Sequence, residues 1–109
     1  MTTQNTTIFP DKVETLCKCN GAEMSTLLSC LKWMEANTNE VVLSGIRRKQ
    51  IAKECGIKYN TVLSSVGGLL KSNLLIREGF NTYIVNPELF FKGSERQRGK
   101  LINKHNARS

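Results

Sequence analysis

Lys58, Tyr59, Asn60, Thr61 and Ser64, with Lys71 further along, are the residues of this chain whose types and spacing best suit chemistry. That chemistry is recognition. An asparagine amide pairs bidentately with adenine in a major groove, hydroxyls serve several base edges, and lysines meet phosphates. Covalent and metal chemistry fit less well. Cys17-Lys18-Cys19 lacks the gap of about two to four residues that a zinc knuckle needs, and the one histidine, His105, lies far away in a polar tail. Tyr59 and Tyr83 are candidate nucleophiles of a nicking enzyme, but no catalytic base and metal set can be assembled around either. No glycine-rich loop leads into a lysine as a nucleotide site requires. The residues therefore imply a protein that is not an enzyme, with no cofactor and no metal. Cys30 and Cys55 fall on apolar helical faces, where a free cysteine is a small hydrophobe.

The elements that must hold this set are legible from Arg47 to Pro87. Ile51, Ala52 and Cys55 mark one helical face, Gly56 follows where a sharp turn needs positive φ, and Ile57 plugs the turn. A second helix carries Val62, Val66, Leu69 and Leu70 inward, leaving Lys58, Tyr59, Asn60, Leu63, Ser64, Gly67 and Lys71 outward. Two runs, LLIRE and TYIVN, then flank Gly79-Phe80-Asn81, the pattern of a hairpin in which Ile76 shares a face with Tyr83 or Val85. The fold class this order predicts is α+β, mainly α: a winged helix-turn-helix with a small antiparallel β-hairpin wing. Upstream, a short helix is expected over 11–19, with Val13, Leu16 and Cys17 as its apolar face. A longer one is expected over 23–35, with Met24, Leu27, Leu28, Leu31 and Met34 in the core and Trp33 at its edge. Val41-Val42-Leu43 reads as a strand able to join the wing.

Charge agrees with the outward set. The chain has 109 residues and a net charge of +7, enough for one domain with one core. Residues 1–45 hold three basic and five acidic groups, a net of −2, whereas residues 46–109 hold thirteen and four, a net of +9. A field so one-sided suits a polyanion. The expected domain plan is a flexible N-terminus over 1–10, a winged helix-turn-helix domain over 11–93, and a basic tail over 94–109 that is either a disordered solubilising end or a helix formed on DNA or a partner, since its composition does not support independent structure. With no signal peptide and no apolar run near 20 residues, a cytoplasmic protein without membrane contact is expected.

How DNA would be read is open at this level. Gly67 and Gly68 weaken the second helix, since glycine costs about 1 kcal/mol relative to alanine. Either they admit a phosphate backbone or neighbouring helix, with Lys58, Tyr59, Asn60 and Ser64 as readers, or the helix only orients the domain. In the second case Arg77, Asn81 and Lys92 around the wing take the minor groove or backbone. Arg47, Arg48, Lys49 and Lys53 are backbone clamps or solvated charges, and Arg96 and Arg98 lie in the basic tail.

The segments EVVLSGIRRKQIAKECGIKYNTV and YIVNPELFFKG resemble the RepL-type plasmid replication proteins of Gram-positive bacteria. The most telling matches are Tyr83, Asn86, Pro87, Phe91, Lys92 and Gly93. The resemblance covers about residues 23–93 and implies a winged-helix domain encoded on a mobile element, acting at an origin. A structural role serves the motif as well: Pro87 suits the first turn of a short helix, and Leu89, Phe90 and Phe91 can close the core. The expected function is therefore sequence-specific binding of double-stranded DNA, at an origin of replication of a plasmid or phage. Rival expectations are an accessory protein marking a conjugative transfer origin for a relaxase, a transcriptional regulator, or a winged helix that binds only protein. Expected partners are double-stranded DNA, replication or transfer proteins, and a second copy of the chain on DNA.

Overall fold

Three helix starts in this chain, at Asn20, Ser44 and Ser94, are set by side chains that satisfy a free first-turn amide. The structure, a computed structural model, describes residues 6–108. Asn20 and Glu23 form a capping box, Asn20 Oδ1 accepting from Glu23 N at 2.8 Å and Glu23 Oε1 from Asn20 N at 2.9 Å, and start α2 (Gly21–Trp33). Ser44 Oγ accepts from Arg47 N at 3.2 Å and starts α3 (Gly45–Cys55), which ends at Gly56 in the left-handed region, φ 65°. After Ile57 and Lys58 comes α4 (Tyr59–Lys71). The helix–turn–helix expected from Gly56 is thus present. Ile51, Ala52, Val62, Val66 and Leu69 are buried in one cluster with Leu27, Cys30 and Met34 of α2 and its C-terminus.

The wing is β3 (Leu75–Gly79) and β4 (Thr82–Val85), and β2 (Glu40–Val42) pairs with β4, giving an antiparallel sheet in the order β2-β4-β3. Its register decides what each face carries. Val41 opposes Tyr83 and Leu75 opposes Val85, and these four join the helical core. Ile76 opposes Ile84, so it shares the other face with Ile84 and not with Tyr83 or Val85 as the sequence reading had it. That other face is covered by Phe91, Leu101 and Phe9. The α+β class with a winged helix-turn-helix order agrees with the sequence.

Three upstream expectations shift. The first helix is only α1 (Val13–Cys17), in which Val13 and Cys17 are exposed and Leu16 alone of the expected three packs on the core. One and a half turns cannot present a full stripe. In α2, Leu28 is 54% exposed and Thr26 is buried instead, its hydroxyl donating to Ala22 O at 2.8 Å so that no polar group is stranded. Pro87 opens a turn followed by a strand, β5 (Phe90–Lys92), where a short helix was expected.

Both ends of the chain contribute structure. Residues 1–5, half of the expected flexible start, lie outside the described residues, while β1 (Thr6–Ile8) pairs antiparallel with β5. The tail forms α5 (Glu95–Arg108), begun by Ser94 Oγ accepting from Gln97 N at 3.3 Å. Composition alone argued against this helix, because Leu101 and Ile102 are its only sizeable apolar groups. Docking supplies the difference. Leu101 is buried against Ile84 and Phe91, and Arg98 donates from Nε to Pro87 O at 2.7 Å and from Nη2 to Glu88 O at 3.2 Å while its guanidinium stacks 3.6 Å over Phe9. A charged side chain thus anchors the helix through bonds that composition does not register.

Candidate nucleic-acid interface

Three helix starts share nearly the same backbone: Asn20 at φ −78°, ψ 174°, Ser44 at −64°, 167°, and Lys58 at −74°, 152°. The first two turn a side-chain oxygen onto the helix. Lys58, in the same geometry, supplies none, and no acidic residue lies in the first turn of α4. The positive end of the helix dipole therefore faces outward beside a cation, an arrangement unfavourable in isolation and suited to an anion.

From that end the exposed face of α4 runs through Lys58, Asn60, Leu63, Ser64, Gly67 and Lys71 without an acid. Tyr59 and Thr61 are half-buried at its flank, and Ser64 Oγ donates to Thr61 O at 3.1 Å, leaving its lone pairs outward. The two glycines separate in role. A Cβ at Gly67 would meet nothing within 4 Å, so the outer surface there is flat and open. A Cβ at Gly68 would sit 1.7 Å from Glu23 Oε2 and 2.9 Å from Glu23 Cδ, the carboxylate of the α2 capping box. Gly68 therefore makes room for the Glu23 side chain of the neighbouring helix. On the wing, Arg77 is exposed and opposes Tyr83, which puts it on the sheet face that carries the helical core, the same side as α4. Asn81 holds the hairpin turn at φ 55°, and its carbonyl accepts from Leu43 N at 2.7 Å.

Other expected residues are held elsewhere. Lys92 Nζ donates to Met34 O at 3.3 Å, closing the C-terminal end of α2. Arg98 clamps α5 as described. Arg47 stacks 3.6 Å over Trp33 and donates to Gln50 Oε1 at 3.1 Å. Beside it Lys32 pairs with Glu54 at 2.5 Å, which, led by that hydrogen bond, holds the Glu54 carboxyl below its ordinary range. Lys49 is exposed on α3, while Arg48 is half-buried with its Nε lacking a partner among the described residues. Arg96 is exposed on α5, across the sheet from α4.

Sequence reasoning passed over two features. Phe80, at the wing tip, is 87% exposed; an aromatic between Gly79 and Asn81, where turn residues prevail, was the available signal. Lys100 and Lys104 continue from Arg96 at four-residue spacing, all three exposed, which is a ridge only once α5 is known to be helical.

The cysteines do not gather. Cys17 is exposed, and Cys30 is fully buried, its thiol pushed up from 9.0 to about 12 by burial and, to a smaller degree, by Cys55. Cys55 Sγ lies 3.2 Å from Ser29 Oγ. Among the described residues no three His, Cys, Asp or Glu side chains come together to hold a metal, and no helix is long and apolar enough to cross a membrane.

A family model described as Firmicute plasmid replication protein (RepL) matches residues 20–108. The chain belongs to the RepL family. No curated protein and no solved structure matches it. The RepL match runs from the cap of α2 to the end of α5, so the docked basic helix lies within it. The residues that first carried the RepL resemblance have structural duties. Asn86 Nδ2 donates to Asn73 O at 2.8 Å and its Oδ1 accepts from Glu88 N at 2.9 Å, fixing the turn at Pro87. Tyr83 and Phe91 are buried. Gly93 sits at φ 140°, where a Cβ would fall 2.2 Å from Asn37 Oδ1.

Proposed function

We propose that this RepL-family protein binds double-stranded DNA at the origin of replication of its plasmid, reading bases with α4 and holding the backbone with the wing. The observation that carries the reading is the face of α4: an uncapped, acid-free N-terminus at Lys58, then Asn60, Leu63 and Ser64 over an open Gly67. In this reading Lys58 and the first amides of α4 take a phosphate, Asn60 meets adenine, and Leu63 offers an apolar contact to a thymine methyl. Arg77, on the same side of the sheet, takes a flanking phosphate. This favours a footprint shared by helix and wing over the wing alone.

The test is titration of the purified protein against short duplexes tiled across the plasmid, at two salt concentrations, beside a scrambled duplex. Tight, salt-sensitive binding to a tile at the replication origin is the expected result. Binding confined to a promoter or a transfer origin would replace origin recognition with one of those roles. Equal weak binding to every tile would overturn sequence-specific recognition. Asn60→Ala should relax base preference at a cost of about 1 to 3 kcal/mol. Arg77→Ala should weaken binding to all sequences and lower the salt slope by about one.

A further inference from the structure

Phe80 is the most exposed large hydrophobic side chain among the described residues, and nothing in the fold accounts for its being aromatic. It packs on nothing substantial at 87% exposure. The turn does not call for it either. The register pairs Gly79 with Thr82, leaving Phe80 and Asn81 as the loop, and the positive φ such a turn demands is taken up by Asn81. The tip is nevertheless firmly held. Leu43 N donates to Asn81 O at 2.7 Å, Thr82 Oγ1 donates to Phe80 O at 3.1 Å, and β2 braces the base of the turn by pairing Val42 with Thr82. A third strand thus stiffens a hairpin that presents one bare ring.

We propose that Phe80 is an apolar wedge that the wing inserts from the minor groove between two base pairs of the bound duplex, unstacking and kinking it. This rests on the DNA-binding reading and adds the manner of binding. Charge favours DNA over an apolar protein partner: the ring is borne by the half of the chain with thirteen basic groups against four acids, one of which, Glu78, stands beside Arg77 on the same hairpin. Phenylalanine is among the residues that architectural proteins insert at such steps, and the cost of unstacking is recovered by the surface a bent duplex brings into contact.

The experiment compares the full chain with Phe80→Ala and Phe80→Leu on a short duplex enriched by the protein from a random pool. Bending is read by energy transfer between end labels, unstacking by 2-aminopurine placed at successive adenines, and affinity at two salt concentrations. The wild-type protein should shorten the end-to-end distance and brighten 2-aminopurine at one step. Phe80→Ala should abolish both signals and weaken binding roughly tenfold, as loss of one aromatic stack implies, with an unchanged salt slope because no charge is removed. Phe80→Leu, still able to wedge, should retain much of the bend. Wild-type binding that leaves the duplex straight, or a Phe80→Ala protein that bends it equally, overturns the wedge while leaving DNA binding intact. A wild-type protein that enriches and binds no duplex overturns both.

Discussion

Replacing Lys58 by asparagine should move stability and DNA binding in opposite directions. The backbone at Lys58 lies within about 20° of that at Asn20, where an asparagine already accepts from the third amide of its helix, so the new side chain can cap α4 without rearrangement. An asparagine cap in place of a side chain that makes none contributes about 1 kcal/mol. Removing a cation from the positive end of the dipole adds about 0.3 to 1 kcal/mol at low salt. For a domain near 100 residues, each kcal/mol corresponds to about 4–8 °C in Tm, so a rise of several degrees is expected by thermal unfolding. If Lys58 sits on a phosphate, the same substitution removes one released counterion. The slope of log K against log salt should fall by about one, with weaker binding at every sequence. Fluorescence anisotropy on an origin tile and on a scrambled duplex measures both quantities. A stabilised variant with unchanged affinity and slope would refute the phosphate role, and a variant with unchanged Tm would refute the capping argument.

The two glycines of α4 should part company: Gly67→Ala should leave folding intact or raise stability by up to about 1 kcal/mol while weakening DNA binding, whereas at Gly68 the same helical gain is offset by displacing the Glu23 carboxylate from its capping box, so Gly68→Ala should raise Tm less. Equal Tm changes in denaturation scans would sink the distinction. Arg98→Ala removes both carbonyl bonds and the stack on Phe9, so amide exchange across residues 95–106 should accelerate well before that of α4. Uniform exchange across both helices would show that Leu101 alone docks α5. Cys30 gives a pH signature. Its folded-state thiol binds a proton up to about pH 12 while the unfolded thiol loses one near 9.0, so this group's contribution is full below pH 9 and is lost as pH rises, at about 1.4 kcal/mol per unit. Urea unfolding of wild type and Cys30→Ala should converge over that window, and parallel curves would rule the linkage out.

The sequence was most informative where one face of an element is buried. Ile51, Ala52, Val62, Val66 and Leu69 announce α3 and α4 because a half-buried helix imprints its period on the chain, and Gly56 announces the turn because only its φ of 65° lets the helices meet. Leu28 was misassigned because periodicity does not reveal that Thr26, self-satisfied through Ala22 O, can take a core position. The wing register was missed by one residue because the faces of a sheet buried on both sides carry similar residues: Ile76, Tyr83, Ile84 and Val85 all look alike to a pattern. Asn39 shows the same limit. Asparagine is a common turn residue, yet Asn39 is fully buried and donates to Val85 O and Phe90 O at 2.9 and 2.8 Å, joining β4 to β5 across contacts no local pattern encodes. On α4 the exposure of Lys58, Asn60, Ser64 and Lys71 was legible, because outward residues are defined by the inward ones. The carbonyl bonds of Lys92 and Arg98 within the fold were not legible, because no local pattern encodes them.

That division suggests how basic residues should be weighed in such a chain. Net charge alone made every lysine and arginine after residue 45 a candidate for phosphate, but a cation that closes a helix end or clamps a turn already has its acceptors in the folded state. Its removal should register first as lost stability. Lys58 is the reverse case: it occupies a cap position where asparagine or serine would serve the fold better, its side chain makes no bond to the helix it begins, and it stands on the face with no acids. A residue that is locally unfavourable and structurally idle is more informative about a partner than one that is merely charged. By that criterion Lys58 and Phe80, one cationic and one apolar, are the residues that say most about a partner outside the chain.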